Sequence, residues 1–318
     1  MSLHPQVLAR YYFALQCAGA AAWWTLVFTV DGVRAATLGG LDPVLVGVFD
    51  VPLFAGASLL AAFGVRWAVW IVWPWTLLVT VALTVYATFT GLAGWGAVIM
   101  IAASVGTTIA SLLLLRGGLP TGLLMTGPFR PRLAHSASNS RHTLHTGAQM
   151  LAFWGLFLAV IPLVITLFER RWGLEVSVPV SIRIAGAVLL AAASALGVWS
   201  ALAMASRGEG TPLPSATARK LVITGPYGLV RNPMAVAGIS QGVAVGLLLG
   251  SWMVVAYALL GSLAWNWGVR PHEEADLEAR FGSEYAEYRS RVRCWLPRVR
   301  AYPEGMTVSS RQGSHHDR

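Results

Sequence analysis

Eight apolar stretches, each close to the length needed to cross a lipid bilayer, set what this chain can fold into. A membrane-spanning helix needs about 20 mostly apolar residues, because backbone N–H and C=O groups in hydrocarbon must find their partners within the segment. The stretches lie at about residues 11–30, 44–63, 67–90, 94–115, 147–168, 182–204, 234–250 and 252–268. They predict an all-α, polytopic membrane protein of about eight transmembrane helices, with a C-terminal helical hairpin followed by a cytosolic C-terminal helix.

The composition excludes an ordinary water-soluble enzyme. Of 318 residues, 56% are hydrophobic and 12% are charged, which is about half the charged fraction of a soluble domain. The formal net charge is +9, but the basic residues are scattered between apolar stretches. This distribution indicates positively charged loops at a membrane face and argues against nucleic-acid binding.

The basic residues also indicate an orientation. With the N-terminus in the cytosol, ten of them fall on inside segments before the C-terminal tail and four fall outside, as the positive-inside rule requires. The inside residues are Arg10, Arg66, Arg116, Arg130, Arg132, Arg141, Arg207, Arg219, Lys220 and Arg231; the outside ones are Arg34, Arg170, Arg171 and Arg183. Alanine- and arginine-rich, lysine-poor usage is typical of GC-rich bacteria. We therefore expect a bacterial inner (plasma) membrane protein with both termini in the cytosol.

Two features inside the apolar stretches have competing interpretations. Asp50 lies beside Pro52 in the second stretch, where a carboxylate is costly and often functional, although this stretch is also weak enough to be broken or interfacial. Four tryptophans of the third stretch are interpreted as interface anchors and packing residues. They are Trp67, Trp70, Trp73 and Trp75.

The sequence predicts neither a disulfide framework nor a metal site. Cys17 and Cys294 have no CxxC or other paired spacing. His142 and His145 stand one helical turn apart, but no third ligand lies near them.

The segment from Gly208 to Pro297 carries the motifs that suggest chemistry. A Gly/Pro-rich loop is followed by Gly225-Pro-Tyr227 and then by Arg231-Asn-Pro-Met234, which opens the seventh stretch. Pro233 suits the first turn of a helix, because its missing N–H has no intrahelical partner there. Exposed N–H groups at such a helix start, together with Arg231, favour an anionic group such as a carboxylate.

Glycines recur every fourth residue along the seventh stretch, at positions 238, 242, 246 and 250. Small residues in this spacing let two helices approach closely. We expect the stripe to pack against the eighth stretch in a tight hairpin; the alternative is that it leaves room for a ligand.

The motifs, taken in their order along the chain, resemble those of one superfamily. Gly-Pro-Tyr-x3-Arg-Asn-Pro-Met is followed by a two-helix hairpin and then by a polar segment with aromatic residues at helical spacing. That segment contains Glu273-Glu274, Leu277, Phe281-Gly282, Tyr285, Tyr288 and Leu296-Pro297. Together these motifs resemble the isoprenylcysteine carboxyl methyltransferase and phospholipid methyltransferase superfamily, over roughly 90 residues.

The resemblance implies an integral-membrane methyltransferase that uses S-adenosylmethionine, held at the cytosolic face between the last helices and the C-terminal segment. Carried over by position, the donor-binding residues are Pro212, Arg219, Lys220, Leu221, Val222, Tyr227, Asn232, Pro233, Met234, Ala235 and Glu273. Glu273 suits the donor's ammonium group, backbone N–H groups suit its carboxylate, and Tyr227 suits its adenosyl part or sulfonium.

This chain also departs from the family pattern. Asn232 stands where the family usually has a histidine before Pro233. Ala235 replaces the aromatic residue two positions after Pro233, and Ala237 replaces the glycine that follows. The arginine that eukaryotic carboxyl methyltransferases use for the substrate aligns with Val269, and Arg270 is one residue out of phase.

The leading hypothesis is direct methyl transfer to a lipidic or small hydrophobic acceptor, with no metal and no protein nucleophile. The acceptor group is open: a carboxylate, an amine and a thiol all fit. The candidate general base is Glu274 or a group of the substrate itself, and Arg231 and Arg270 complete the candidate catalytic residues. The alternatives are a non-catalytic membrane protein of the same fold and, from Asp50 and the number of spans, a transporter.

These predictions divide the chain into three parts. Residues 1–140 are expected to form a transmembrane scaffold of about four spans that shapes substrate access. Residues 141–300 are expected to form the methyltransferase-like domain with its cytosolic donor site, and residues 301–318 a disordered tail.

Overall fold

The computed structural model describes residues 4–120, 151–152, 154–208 and 220–298. Within these ranges the regular structure is entirely helical, with no strand, which confirms the all-α prediction. Several predictions fall outside them: the tail 301–318, His142, His145, Pro212, Arg219 and the loop arginines 130, 132 and 141.

The described residues form two compact units. The first unit holds the residues up to Pro120 together with Leu167–Glu175, and the second holds the rest. Helices of the first unit are α1 (Pro5–Thr29), α2 (Asp31–Thr37), α3 (Pro43–Asp50), α4 (Ala57–Ala62), α5 (Val69–Thr90) and α6 (Gly94–Arg116). Helix α7 (Ile161–Arg171) passes from the second unit into the first. Those of the second unit are α8 (Val180–Arg207), α9 (Pro233–Leu249), α10 (Trp252–Ala264) and α11 (Arg270–Arg291).

The helices match the predicted apolar stretches in position more closely than in number. Among the described residues, five helices are long and apolar enough to cross a bilayer, and six if α1 and α2, which meet at 115°, form one broken span. Two features separate this count from the predicted eight. Helix α9 has only 17 residues, at the lower limit for a span, and the predicted span 147–168 lies partly outside the described residues.

Beside Asp50, the second apolar stretch changes from α-helical to π-helical geometry and back, without an interruption of the helix. A π-helical turn, Val51–Gly56, joins α3 to α4. Asp50 is 6% exposed, and its two carboxylate oxygens accept hydrogen bonds from the indole N–H groups of Trp24 and Trp75, each at 2.9 Å. The costly buried carboxylate is thus stabilised by two specific donors.

The tryptophans of α5 and the turn before it divide into two groups. Trp67 and Trp70 are exposed, as interface anchors would be. Trp73 and Trp75 are partly buried and donate hydrogen bonds, Trp73 to the hydroxyl of Thr108 at 3.0 Å.

The glycine stripe of α9 packs against α10 at two of its four positions. A Cβ on Gly242 would lie 2.8 Å from the Cβ of Ala258, and one on Gly246 would lie 2.8 Å from the backbone nitrogen of Val255. Gly250 ends α9 in a left-handed conformation, with φ +68°. Gly238 faces open space. The stripe therefore builds the predicted tight hairpin through its middle.

We expect Gly246→Ala to destabilise the protein and Gly238→Ala to leave it unchanged or slightly more stable. Both substitutions improve helix propensity by about 1 kcal/mol, but only the methyl at 246 collides with backbone, and overpacking costs about 1–3 kcal/mol. Apparent melting temperatures in detergent measure the difference. Equal melting temperatures for the two variants would contradict the close approach at Gly246.

Candidate functional site

Residues 220–232, the described part of the loop before α9, pack against helices of the second unit. A 3-10 turn, Gly225–Gly228, buries Pro226 and Tyr227. Gly225 has φ +62°, a backbone conformation that glycine adopts without strain.

Leu221 and Val222 lie just before this turn and contact different clusters. Leu221 packs against the cluster of Tyr285, Tyr288 and Val292, whereas Val222 packs with Ala203 and Tyr227. Their alternation is typical of extended backbone.

The segment after α11 closes over this loop. The backbone N–H of Arg231 donates to the carbonyl of Arg293 at 3.0 Å, and that of Arg298 donates to the carbonyl of Leu229 at 2.9 Å. From α11 itself, the buried hydroxyl of Tyr288 donates to the carbonyl of Tyr227 at 2.7 Å. The loop and the C-terminal segment therefore form one hydrogen-bonded unit.

A kink in α11 lets the chain return to the loop. Gly282 has φ +52° and ψ −125° inside an otherwise helical run, a combination that is essentially restricted to glycine. Across the kink, Arg289 pairs with Glu278 at 2.8 Å. The kink separates the part of α11 that carries Glu273 and Glu274 from the part that carries Tyr285 and Tyr288.

The start of α9 confirms the predicted place of Pro233 and gives Asn232 a structural role. Pro233 opens the helix, and the side-chain oxygen of Asn232 accepts a hydrogen bond from the N–H of Ala235 at 3.0 Å. This is a standard N-cap. The Asn232 side chain thereby pairs with one of the N–H groups that were expected to bind an anionic ligand.

The three candidate catalytic residues come together in one charged cluster. The guanidinium of Arg231 lies 3.3 Å from a carboxylate oxygen of Glu274, and that of Arg270 lies 3.9 Å from the same oxygen. Yet Nε and Nη1 of Arg231 and Nε of Arg270 are buried with no hydrogen-bond partner among the described residues. The cluster therefore keeps N–H donors that an anionic group could accept from.

Glu273 and Tyr227 are two further polar groups whose charges interact with each other and, for Glu273, with the charged cluster. Burial, and then the neighbouring charge of Glu274, raises the pKa of the Glu273 carboxyl to about 7. Burial also raises the pKa of the Tyr227 hydroxyl, and the charge of Glu273 raises it further. The Tyr227 hydroxyl is buried and has no hydrogen-bond partner among the described residues.

The remaining predicted donor residues are distributed unevenly around these groups. Met234 and Ala235 are partly buried at the start of α9, while Lys220 is exposed and its backbone N–H donates to the carbonyl of Gly208 at 3.2 Å. Pro212 and Arg219 lie outside the described residues.

Two contributions to the site were missed by the sequence analysis. The sequence pattern places Tyr288 only among the aromatic residues at helical spacing, and no motif includes Arg298. The buried tyrosine hydroxyl was the available signal, because such a group nearly always finds a partner. In the described part of the chain, no three His, Cys, Asp or Glu side chains are grouped so that they could hold a metal ion.

We expect Tyr288→Phe to loosen the closure of the loop. It removes a buried hydrogen bond and leaves the Tyr227 carbonyl unpaired, a loss of about 1 kcal/mol in stability. Hydrogen exchange should rise at residues 227–232, with Tyr11→Phe, which changes an exposed tyrosine of the first unit, as control. Unchanged exchange in Tyr288→Phe would show that the backbone pairs alone hold the loop.

A comparison with known protein families covers the charged cluster, Tyr227 and Glu273, but ends before Tyr288 and Arg298. Residues 182–284 match the family model described as phospholipid methyltransferase; the match begins in α8 and ends just beyond the kink of α11. No curated protein and no solved structure matches the chain. The family resemblance seen in the motifs is thus confirmed, and residues 182–284 form a phospholipid methyltransferase domain, of the superfamily that includes the isoprenylcysteine carboxyl methyltransferases, in a chain with the helices of a membrane protein.

Proposed function

We propose that this protein transfers a methyl group from S-adenosylmethionine to a lipidic or small hydrophobic acceptor at the cytosolic face of a bacterial inner membrane. The observation that carries the proposal is the presence of unpaired buried polar atoms on Tyr227 and Arg231 together with the partly buried carboxyl of Glu273. Tyr227 and Glu273 suit cationic groups, and the free N–H groups of Arg231 suit an anionic one.

The residues present fit this donor. S-adenosylmethionine supplies a methyl group activated on a sulfonium, and it carries an ammonium group and a carboxylate. Glu273 is suited to pair with the ammonium. Arg231 is suited to the carboxylate. The hydroxyl and ring of Tyr227 suit the sulfonium or the adenosyl part.

The contacts of Glu274 favour a positioning task for this carboxylate. It lies between Arg231 and Arg270 and so fixes where the two guanidiniums stand. Its assignment as general base remains a prediction. A general base is needed only for an amine or thiol acceptor, which loses a proton on methylation, and not for a carboxylate acceptor.

A membrane-derived acceptor is supported by the surface of α10 and the turn that follows it. Leu259, Leu260 and Leu263 are exposed on this helix, and Trp267 is exposed just before the polar helix α11. An exposed apolar face of this kind suits lipid contact. Since direct displacement needs no protein nucleophile, the task of the chain is to orient the two reactants and exclude water.

Replacing Glu273 with Gln should weaken donor binding by about 10- to 100-fold, because a hydrogen bond to a charged group contributes about 1.5–3 kcal/mol. Calorimetry of S-adenosylmethionine binding to the detergent-purified protein measures the loss. Glu278→Gln, which removes a carboxylate from the exposed pair with Arg289, is the matched control. Unchanged affinity in Glu273→Gln would remove Glu273 from the site, and no binding by the wild type would favour the non-catalytic alternative.

Donor binding should also strengthen with pH between about 6 and 8. With its pKa raised to about 7, the Glu273 carboxyl is mostly protonated at the lower pH and mostly ionised at the higher one, where it attracts the ammonium. The same calorimetric titration at several pH values tests this. The slope should be absent from Glu273→Gln; an equal slope in both proteins would assign the titration to another group.

Tyr227→Phe should separate ligand binding from folding. Because a buried hydroxyl without a partner is destabilising, the ligand-free variant should melt at the same or a higher temperature than the wild type. Donor affinity should nevertheless fall, by about 3- to 10-fold for one lost hydrogen bond. A lower melting temperature with unchanged affinity would mean that the hydroxyl serves the fold.

A further inference from the structure

The first unit contains a cavity of about 200 Å³ that the methyl-transfer proposal does not use. It lies where α1 begins and where α4 and α6 end. Its lining includes His4, Val7, Arg10, Gly64, Arg66 and Leu114. The volume is well above what one water molecule requires.

Arg10 is held in place at this cavity by backbone carbonyls. Its Nε donates to the carbonyl of Ala62 at 3.0 Å and its Nη2 to that of Phe63 at 2.9 Å. The guanidinium rests on Gly64, where φ is +90° and a Cβ would lie 3.3 Å from the Arg10 carbon Cζ. Arg10 is therefore fixed before any ligand arrives, so little side-chain entropy is lost on binding.

Arg66 brings a second positive charge to the same cavity. Its Nη2 donates to the carbonyl of Leu115 at 2.5 Å, which leaves its other N–H groups available. Neither Arg10 nor Arg66 pairs with a carboxylate among the described residues. Two guanidiniums without a counter-charge favour an anion that accepts several hydrogen bonds, as a phosphate does.

The surroundings of the cavity indicate where such a phosphate comes from. Tyr11, Phe63 and Trp67 adjoin the lining residues in sequence and are 64%, 71% and 59% exposed. Exposed aromatic side chains at the end of membrane-crossing helices mark the headgroup level of the bilayer. At this level of the bilayer, phosphates are those of lipid headgroups.

We propose that this cavity binds the phosphate of an anionic phospholipid headgroup between Arg10 and Arg66. The site lies wholly within the first unit and does not depend on the proposed methyl transfer. Basic pockets between membrane helices are suited to such headgroups.

The test places a carboxylate in the cavity without substituting either arginine. Val7 is the third residue of α1, and a carboxylate in the first turn of a helix stabilises it, so Val7→Glu should fold. In native mass spectrometry of the full-length protein, wild type and Val7→Gln should retain phosphatidylglycerol. Val7→Glu should bind it about tenfold or more weakly, because like charges then face each other.

Two comparisons separate this site from general charge effects. Arg116→Gln changes the net charge by the same amount at the same end of the unit but outside the cavity lining, and it should bind phosphatidylglycerol as the wild type does. Phosphatidylcholine, which has no net charge, should bind less well than phosphatidylglycerol. Affinity for S-adenosylmethionine should be the same in all variants.

Three results would overturn the proposal. Val7→Glu could bind phosphatidylglycerol as well as Val7→Gln does. Arg116→Gln could lose as much binding as Val7→Glu, which would indicate unspecific attraction. Inorganic phosphate could displace phosphatidylglycerol at equal concentration, which would make the cavity a free-anion site.

Discussion

The structure depends on the need of every backbone polar group in hydrocarbon to find a partner within the protein. Long apolar helices meet this need by themselves. Where a polar side chain is buried or a helix ends, other side chains supply the hydrogen-bond partners. At Asp50, two indole N–H groups hold the carboxylate next to a π-helical turn. At the ends of α4 and α6, arginine side chains take the carbonyls that the helices leave free.

The family domain meets the same constraint differently, because its polar residues are concentrated at one end of the α9–α10 hairpin. The backbone of the loop before α9 is satisfied by the C-terminal segment through Arg293, Arg298 and Tyr288. Among the described residues of this domain, the side-chain atoms that stay unsatisfied, on Tyr227, Arg231 and Arg270, are then the exceptions within a well-bonded framework. In a native protein, such exceptions call for an explanation, and a polar ligand supplies one.

Much of this arrangement could be predicted from local sequence rules. Pro233 marked a helix start, and the glycine spacing marked a close helix pair. The N-cap role of Asn232 was also within reach, since asparagine directly before a first-turn proline is a favoured cap. Arg270 and Glu274 are one helical turn apart, so their pairing follows from local spacing. Arg231 lies about 40 positions earlier and meets them only through the hairpin, which local rules do not predict.

Other features were beyond sequence rules because they depend on tertiary contacts or on unusual backbone geometry. The partnership of Trp24 with Asp50 joins separate helices, and neither residue type specifies the other. The departure of Gly282 from helical geometry lies within a run of good helix formers, so periodicity alone favours an uninterrupted helix. Hydropathy alone does not distinguish a full crossing from a helix as short as α9, which is one reason why the described residues support five or six spans where eight were predicted.

The closure of the loop by the C-terminal segment sets an order of assembly. The hydrogen-bond donor to the Tyr227 carbonyl, Tyr288, lies 61 positions later in the chain. Both helices of the hairpin are synthesised between these two residues. The loop thus leaves the ribosome long before the residues that fix it, while the helices around it already have their apolar partners. The helices of the hairpin are therefore synthesised before the C-terminal segment that closes the loop over the charged cluster.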